Sequence, residues 1–552
     1  MLRLTEDCGV CISSCLDYWE DDLILQAFNR SLILAPQIYG NPWLLRDDEY
    51  PKLARIFNLH RKYRDILVKG DVLPDSYGPH AVSRGDDKTR IITLRNLSWN
   101  DTTYPVKLDE EIGIESRGKI TLIQLHPTEK VLGVFNKGDQ IDVSVMPFRA
   151  YMLLATTEKY DEPAIKGADY RVIRHVDGQP VEIEILGMPG TTSTISLMNA
   201  RQYKSAQLDG RKVPALARGN DIQVTFPGVT LNEKVHRKLG EFDEIPVPDD
   251  AVALYEATVF STDNNALEVR ALERSGETSI PEVKAARDAF FNQQAFVERG
   301  VWDRNLFDGD PSTGFWQTRR YRTERGCLRL DLGEIQHVDE LVIKVPDFFS
   351  LLPLLPDEGN FVEVSTDLKS WERLTYLAEL ETRVQIGKPV RYLRFRSFPQ
   401  RITEVYGYAS GKRLNNDHWR ASNLFAYPTE KNAQKAWKTS IILDEVPDGS
   451  YLSVAINGIH GIDGAYAAAK IDGELIGAPN RAPSFLSNPW EHFNARRDRN
   501  YTYYIPVTEE HIGKTIEVFV FAYDNEKLEL NPELWISAYP HPWEKIKLVL
   551  DR

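Results

Sequence analysis

Acidic and aromatic residues follow one another closely in LDYWEDD, residues 16–22. Aromatic rings stack on the CH groups of sugar rings, and carboxylates accept hydrogen bonds from sugar hydroxyls. Asp17, Trp19 and Glu20 therefore have the side chains of a sugar subsite. A second segment, YGNPW at residues 39–43, adds three candidates of the same kind, Tyr39, Asn41 and Trp43. We predict that these six residues contact a carbohydrate substrate.

Catalytic residues cannot be assigned from these segments. Glycoside hydrolysis needs two carboxyl groups on opposite sides of one bond, about 5–5.5 Å apart for retention and wider for inversion. Asp17, Glu20, Asp21 and Asp22 offer carboxylates for one of these roles, but no second group is identified. Asp21 and Asp22 would equally well cap the helix that follows them.

A third candidate site lies near the end of the chain. Residues 478–504, APNRAPSFLSNPWEHFNARRDRNYTYY, form a long polar and aromatic segment between two strand patterns. Loops of this kind carry binding in sandwich folds. Arg481, Trp490 and His492 offer a stacking ring and hydrogen-bond donors for sugar hydroxyls. The alternative is an irregular loop whose Trp490 packs inward.

The elements that must position the first two segments read strand, helix, strand, helix. Residues 9–16 and 31–40 are apolar runs that fit buried strands, and apolar residues at helical spacing follow each of them. Such units belong to parallel α/β architecture, where active sites form at the carboxyl ends of the strands. Residues 1–80 are then either a small α/β cap or the last two units of a (β/α)8 barrel whose first six units are absent. We favour the partial barrel.

From about residue 83 the apolar period changes to two and stays there. Short alternating strands separated by polar turns predict antiparallel sheets. The fold class is therefore mainly β, a series of antiparallel β-sandwiches or jelly rolls preceded by the partial barrel. The predicted divisions are 1–80 for the barrel segment, 81–158 for a sandwich, 159–248 for a second small β domain, 249–412 for a third domain and 413–552 for a final sandwich.

The third predicted domain carries a recognisable order of features. LFDGDPSTGFW (306–316) precedes the strands CLRLDLGE (327–334), VDELVIKV (338–345), FVEVSTDLKSWERL (361–374), YLRFRS (392–397) and ITEVYGY (402–408). This order resembles the discoidin or coagulation-factor type C domain, a galactose-binding-like jelly roll that binds sugars in many bacterial proteins. The resemblance implies a structural calcium ion held by Asp308, Asp310, Thr313 and Glu404. The alternative is a tight Asp-Gly turn with a capping aspartate.

The N-terminal segment resembles, more loosely, the end of the barrel in retaining glycosidases of the α-galactosidase-like clans, in which β-sandwich domains follow the barrel. The resemblance implies the C-terminal region of a multidomain bacterial glycoside hydrolase that binds polysaccharide. In those clans the nucleophile and acid come from earlier strands, so we expect this chain to be inactive without a further N-terminal barrel segment. The alternative is a non-catalytic protein of several glycan-binding modules.

Composition and charge restrict the partners. The 552 residues are 42% hydrophobic and 27% charged, which is ordinary for a globular protein. The formal net charge of −14 argues against nucleic acid, which needs a basic surface. An apolar loop at 345–359 lacks the basic cluster of membrane-binding loops, so we expect it to dock on a neighbouring domain rather than on a membrane. The N-terminus does not read as a signal peptide, yet a full-length polysaccharide-degrading enzyme is expected to be secreted, periplasmic or at the cell surface.

Overall fold

The chain forms two compact units in a computed structural model. The structure describes residues 9–11, 19–29, 36–260, 272–294, 302–316, 327–351, 359–395, 399–424, 433–459, 465–477, 500–522, 529–538 and 541–552. The first unit contains Met1–Asn232, Ala271–Pro281 and His541–Arg552, and the second contains Glu233–Arg270 and Glu282–Pro540. Throughout these described ranges, none of the helices has both the length and the apolar character that crossing a bilayer requires.

Helices make up a small part of the described chain. The α-helices are α1 (Trp19–Ile24), α2 (Tyr50–Tyr63), α3 (Pro214–Ala217), α4 (Ala251–Phe260), α5 (Pro281–Phe291) and α6 (Phe348–Leu351). A π-helical turn, Leu25–Asn29, extends α1. Single 3-10 turns occur at Pro42–Leu44, Asp47–Glu49, Asp75–Tyr77, Glu110–Ile112, Ala200–Gln202, Asp303–Leu306 and Glu509–His511.

Strands dominate both units, which confirms the mainly β fold class. Up to residue 225 they are β1 (Gly9–Cys11), β2 (Gln37–Tyr39), β3 (Gly70–Val72), β4 (Val82–Gly85), β5 (Thr89–Arg95), β6 (Thr102–Lys107), β7 (Lys119–His126), β8 (Lys130–Asn136), β9 (Gln140–Val145), β10 (Ala150–Thr156), β11 (Ile165–Lys166), β12 (Asp169–Arg174), β13 (Val181–Gly187), β14 (Thr192–Leu197), β15 (Ser205–Leu208), β16 (Arg211–Lys212) and β17 (Ile222–Thr225). The later strands are β18 (Arg237–Glu241), β19 (Asp243–Ile245), β20 (Phe315–Trp316), β21 (Cys327–Lys344), β22 (Phe361–Ser365), β23 (Glu372–Thr375), β24 (Glu381–Phe395), β25 (Arg401–Ile402), β26 (Glu404–Ala409), β27 (Lys412–Arg413), β28 (Arg420–Leu424), β29 (Lys435–Ile442), β30 (Ser450–Ile459), β31 (Ala465–Ile471), β32 (Glu474–Leu475), β33 (Asn500–Pro506), β34 (Thr515–Ala522), β35 (Glu529–Ala538) and β36 (Glu544–Asp551).

The N-terminal segment follows the predicted order of strand, helix, strand and helix. β1 and β2 pair in parallel, with Val10 opposite Ile38, as a strand–helix–strand unit requires. Residues 12–16 and 31–35 of the two predicted strands lie outside the described residues. One parallel pair fits a small α/β cap and a barrel fragment equally well, so the partial barrel stays a prediction.

The strands from β4 to β10 fall within the predicted 81–158 domain and form antiparallel sheets, and β3, from the predicted 1–80 segment, pairs with β4. A six-stranded sheet in the order β3-β4-β5-β10-β7-β8 lies beside the pair β6 and β9. One face of the sheet packs on that pair through residues such as Ile92 and Leu153. The other face, with Ile91 and Met152, shares a core with apolar side chains of α1 and α2. β5 and β10 are therefore buried on both sides, which explains their nearly continuous apolar sequences.

The second β domain contains a strand from the far end of the chain. Its five-stranded sheet runs β12-β13-β36-β15-β16, and Ile183 on β13 lies opposite Leu548 on β36. Residues 544–551 thus leave the predicted 413–552 domain and complete the first unit. Conversely, β18 and β19 fall within the predicted 159–248 domain but pair with β35 and β29 of the second unit. Apolar alternation identifies a strand but does not specify its partner, because the alternation is the same whichever strand lies beside it.

The second unit contains two sandwiches. In the first, which we call the middle sandwich (residues 302–424), the long strands β21 and β24 pair antiparallel in a sheet ordered β23-β22-β24-β21-β26-β27, with β28 also on β21. In the second, the sheets β18-β35-β30-β33 and β19-β29-β34-β31-β32 enclose an apolar core. In the apolar loop Phe348 and Phe349 are exposed and residues 352–358 lie outside the described residues, so its docking on a neighbouring domain stays a prediction.

Candidate functional site

Three of the four predicted calcium residues, Asp308, Asp310 and Thr313, lie in one loop of the middle sandwich, between the turn Asp303–Leu306 and β20. Gly309 has a φ of +77°, a left-handed conformation that favours glycine. The Asp310 backbone N–H donates to Asp308 Oδ1 at 2.9 Å, and the Ser312 backbone N–H donates to Asp310 Oδ1 at 2.9 Å. Both aspartates therefore stabilise the turn through their side chains, as the Asp-Gly turn alternative predicts.

Glu404 is the unusual member of this group. It begins β26 opposite Lys344 of β21, and the residue is only 1% exposed. The Tyr406 hydroxyl interacts with the Glu404 carboxylate and lowers its pKa, but neither oxygen makes a hydrogen bond of good geometry with a described residue. Burial, together with the nearby charge of Asp308, raises the pKa of Glu404 to about 7. Burial makes this carboxylate costly to ionise, and a bound cation would offset that cost.

The loop offers several oxygen atoms beside these carboxylates. The Thr313 hydroxyl donates to Asp308 Oδ2 at 2.8 Å and to the Asp310 carbonyl at 3.0 Å. The Asp310 side chain is exposed and also accepts from the Ser312 hydroxyl at 2.6 Å. The described residues contain no group of three or more His, Cys, Asp or Glu side chains disposed around one metal position. A cation here would therefore need hydroxyl and carbonyl oxygens in addition to Asp308 and Glu404.

In the N-terminal segment, Trp19 lies in the core of the first unit and is 1% exposed. Its indole N–H donates to Glu49 Oε1 at 3.1 Å, and the Arg274 guanidinium binds both oxygens of Glu49 at 2.6 and 3.1 Å. Trp19 therefore does not present an open ring face on which a sugar could stack. Glu20 Oε1 accepts a hydrogen bond from Arg149 Nη2 at 3.1 Å. One oxygen of the carboxylate that we predict to contact substrate is therefore already paired.

Asp21 is the centre of a buried polar network that the sequence did not predict. Its carboxylate accepts from Arg149 Nε at 3.0 Å, from Arg149 Nη2 at 2.8 Å and from the Ala150 backbone N–H at 2.7 Å, and lies 2.6 Å from His126 Nε2. Burial alone would raise the pKa of Asp21, but Arg149 and His126 hold it well below its usual range. The network fixes α1 on the end of β7 and the start of β10.

A second buried network holds α2. Arg55 donates to both oxygens of Glu129 at 2.8 and 2.9 Å and to Glu162 Oε2 at 2.8 Å. Lys62 also donates to Glu162, at 2.7 Å. The two partners of each of these hydrogen bonds are more than seventy positions apart in the sequence, so no local sequence signal could have revealed either network.

The remaining predicted contacts are only partly described. Tyr39 is 53% exposed, and so offers an open aromatic ring at the end of β2. Asn41 and Trp43 are half-buried in the turn that follows. Asp17, Arg481, Trp490 and His492 lie outside the described residues. Among the predicted subsite residues of the first unit, Tyr39 retains the exposure that sugar stacking needs.

Comparison with known proteins gives little guidance. No family model matches the sequence, and no curated protein matches it. Among solved structures, the arabinofuranosyltransferase AftD from Mycobacteria is similar at 8% identity and a TM-score of 0.17, with 84% of this chain and 33% of that chain covered. A Paenibacillus xanthan lyase is similar at 9% identity and a TM-score of 0.11, with 86% of this chain and 54% of that chain covered. This chain thus spans about a third of the arabinofuranosyltransferase it matches, and TM-scores this low carry no argument about fold or function.

Proposed function

We propose that this chain recognises carbohydrate and is the C-terminal portion of a polysaccharide-degrading glycoside hydrolase. The observation that carries the proposal is the pairing of the Asp308 loop with Glu404 in the middle sandwich, at the positions that the discoidin resemblance assigns to a calcium site. In this proposal the middle sandwich is a discoidin-like sugar-binding module. The other β domains support it and link it to the catalytic part of the enzyme, where a binding module raises the local concentration of substrate.

Asp308, Thr313 and Glu404 would hold the calcium ion, with loop carbonyl oxygens completing the set of hard ligands that calcium prefers. Asp310 would contribute its backbone carbonyl, because its side chain is already used within the turn. The calcium ion would neutralise the buried Glu404 carboxylate and rigidify the loop. Its role in this proposal is structural: it orders the end of the sandwich that meets the sugar.

Catalysis by this chain alone is not part of the proposal. Asp21 is held by Arg149 and His126, Glu20 is ion-paired with Arg149, and Asp22 is exposed on α1, so these carboxylates do not form the pair that flanks a glycosidic bond. If the chain belongs to a hydrolase, the reacting carboxylates come from a further barrel segment. An enzyme of this kind acting on polysaccharide would be secreted, periplasmic or at the cell surface.

The alternative is a non-catalytic protein of several glycan-binding modules. Both functions require sugar binding, and they differ in what surrounds the chain. Six further strand–helix units encoded in frame ahead of residue 1 would support the hydrolase, whereas their absence from the full-length gene would support the non-catalytic protein.

A glycan array tests the shared claim. The full chain, labelled and loaded with calcium, should bind galactose-type or related glycans saturably, and chelation of calcium should abolish or weaken that binding. A reducing-sugar release assay on the bound glycans should show no turnover. Folded protein that binds no glycan with or without calcium would overturn the proposal, and turnover by the chain alone would overturn the assignment of catalysis to another segment.

A further inference from the structure

A small pocket in the first unit lies where α2 meets β12. Its lining includes Lys52 and Arg55 of α2, Arg171 of β12, and the carboxylates Asp48 and Glu129. The pocket and the open solvent at its mouth together amount to about 290 Å³, so the enclosed part is smaller than this. Pockets that take whole drug-sized ligands span roughly 300–1,000 Å³. This pocket therefore suits one small charged group rather than an entire oligosaccharide.

The carboxylates of the pocket are already matched by cations. Glu129 receives two hydrogen bonds from Arg55, at 2.8 and 2.9 Å. Asp48 lies 3.1 Å from Arg46 and 3.4 Å from Lys545. Both carboxylates therefore already have close cation partners, although Glu129 still attracts Lys52 and Asp48 still attracts Arg171 over longer distances.

Lys52 and Arg171 are the cations that remain. The Lys52 ammonium donates to the Pro127 carbonyl at 2.9 Å, a neutral acceptor, and forms no ion pair with any described residue. The Arg171 side chain likewise makes no ion pair or hydrogen bond within the described part of the chain. Glu184 lies opposite Arg171 on β13, but its carboxylate is 4.0 Å from Lys545 instead. Two cations without carboxylate partners thus line one pocket.

We propose that this pocket binds an anionic group, the carboxylate or sulfate of an acidic saccharide. Carboxylate and sulfate oxygens accept charge-assisted hydrogen bonds from ammonium and guanidinium groups, and these are the strong hydrogen bonds of proteins. The neighbouring sugar ring would lie at the open mouth of the pocket. That the ligand is a saccharide rests on the proposed function, whereas its negative charge follows from Lys52 and Arg171.

The protonation of Lys52 supports this assignment and supplies an independent readout. Burial is the main cause that lowers the pKa of Lys52 to about 8, against the opposing charges of Glu129 and Glu20 and with smaller repulsion from Arg171 and Arg149. An anion in the pocket would restore the charged form. Binding should therefore weaken as the pH rises above about 8, because the neutral amine gives up its charge–charge attraction.

The test is calorimetric titration of the full chain with three probes: an oligogalacturonate, its methyl-esterified neutral form, and inorganic sulfate. Wild type should bind the oligogalacturonate and not the methyl ester, with sulfate as a competitor. Lys52→Met and Arg171→Gln should each weaken binding by about tenfold or more, the factor expected for one charge-assisted hydrogen bond. Arg211→Gln, which removes an exposed positive charge from β16 of the same domain, should leave binding unchanged.

The outcomes separate this inference from the proposed function. If the acidic and neutral saccharides bind with equal affinity, or if both pocket variants bind as tightly as the wild type, the anion site is overturned and carbohydrate recognition is left standing. Sulfate binding that depends on Lys52 and Arg171 without saccharide binding supports the anion site and contradicts its assignment to a sugar. No binding of any anionic probe overturns it. Should the variants fail to fold, undiminished binding by wild type at about pH 10, where Lys52 is neutral, would overturn it instead.

Discussion

At the residue scale, Glu404 is a carboxylate whose charge the surrounding protein stabilises only in part. Burial and the like charge of Asp308 oppose its ionisation more strongly than Tyr406 and Arg413 favour it. Its pKa of about 7 is above the ordinary value of 4.5. The stabilising effect of this raised pKa is fully present below about pH 4.5 and is lost as the pH rises through about 7.

The first prediction concerns Glu404→Gln in calcium-free protein. The free energy of unfolding of the wild type should fall, relative to that of the variant, as the pH rises from about 4.5 to about 7, because the wild type must ionise a buried carboxylate. Denaturant titrations across this range measure the difference. Glu372→Gln, an exposed charge change on β23, is the control. A difference between wild type and Glu404→Gln that does not vary with pH would contradict this account of Glu404.

The second prediction concerns Asp21. Asp21→Asn leaves Arg149 and His126 facing a neutral amide, and breaking a buried ion pair costs about 3–5 kcal/mol of unfolding free energy. Because the pKa of Asp21 is lowered, its contribution is present at neutral pH and is lost only as the solution becomes strongly acidic. The decrease in unfolding free energy caused by Asp21→Asn should therefore have its full size at about pH 7 and become smaller in acid.

Asp22→Asn is the matched control, since it removes the same charge from the next, exposed position of α1. Urea unfolding should show a change within about 0.5 kcal/mol for this variant. If both substitutions have the same small effect, the buried network does not hold α1 in place.

The sequence predicted the roles of some of these residues better than those of others. Resemblance placed Glu404 and Asp308 in one site, and they do influence each other electrostatically. The chemical types of Trp19 and Glu20 suit a sugar subsite, yet the fold uses Trp19 in the core and Glu20 in an ion pair. Side-chain type determines what a residue can do, whereas tertiary contacts 30 to 129 positions away determine whether it remains available.

At the element scale, β36 is the strand that closes the first unit. It lies between β13 and β15 and buries Leu548 and Leu550 completely. The alternating sequence EKIKLVLD predicts a strand here, but nothing within it specifies partners more than three hundred residues earlier in the chain. The pairing is decided by the unsatisfied edges of β13 and β15, which exist only after the domain begins to fold.

The third prediction follows from this position. Leu548→Ala should lower the unfolding free energy of the first unit by about 2–5 kcal/mol, because it removes a fully buried side chain and leaves a cavity. Lys547→Ala, one position away on the exposed face, should change it by no more than about 0.5 kcal/mol. Hydrogen exchange measures the effect locally: amides of β13 and β15 should lose protection in Leu548→Ala, and unchanged protection there would contradict the central position of β36.

At the scale of the whole molecule, strand content and antiparallel order were predictable, because period-two alternation is clear in strands such as β6, β9, β12 and β14. Two of the domain assignments were not predictable from the sequence. β18 and β19 contribute to sheets of the second unit, and β36 contributes to the first. Each unit is therefore assembled from segments far apart in the sequence, so a fragment cut at the predicted boundary after residue 412 would remove a strand from the first unit.

The fourth prediction applies to such fragments. A chain ending at residue 540 should lose cooperative unfolding of the first unit, since β13 and β15 would each present an unpaired edge. Differential scanning calorimetry compares it with a chain that lacks Arg552 alone, which leaves all strands intact. An unchanged transition for the longer truncation would show that β36 is dispensable.

The most direct measurement of the central claim is glycan binding by the full chain with calcium, compared between wild type and Glu404→Gln. Carbohydrate recognition by the middle sandwich predicts saturable binding by the wild type that needs calcium, and weaker binding with no calcium response by the variant. Both proteins must first show the same secondary structure by circular dichroism. Glycan binding that is equal in the two proteins, and unaffected by chelation, would contradict the proposed site.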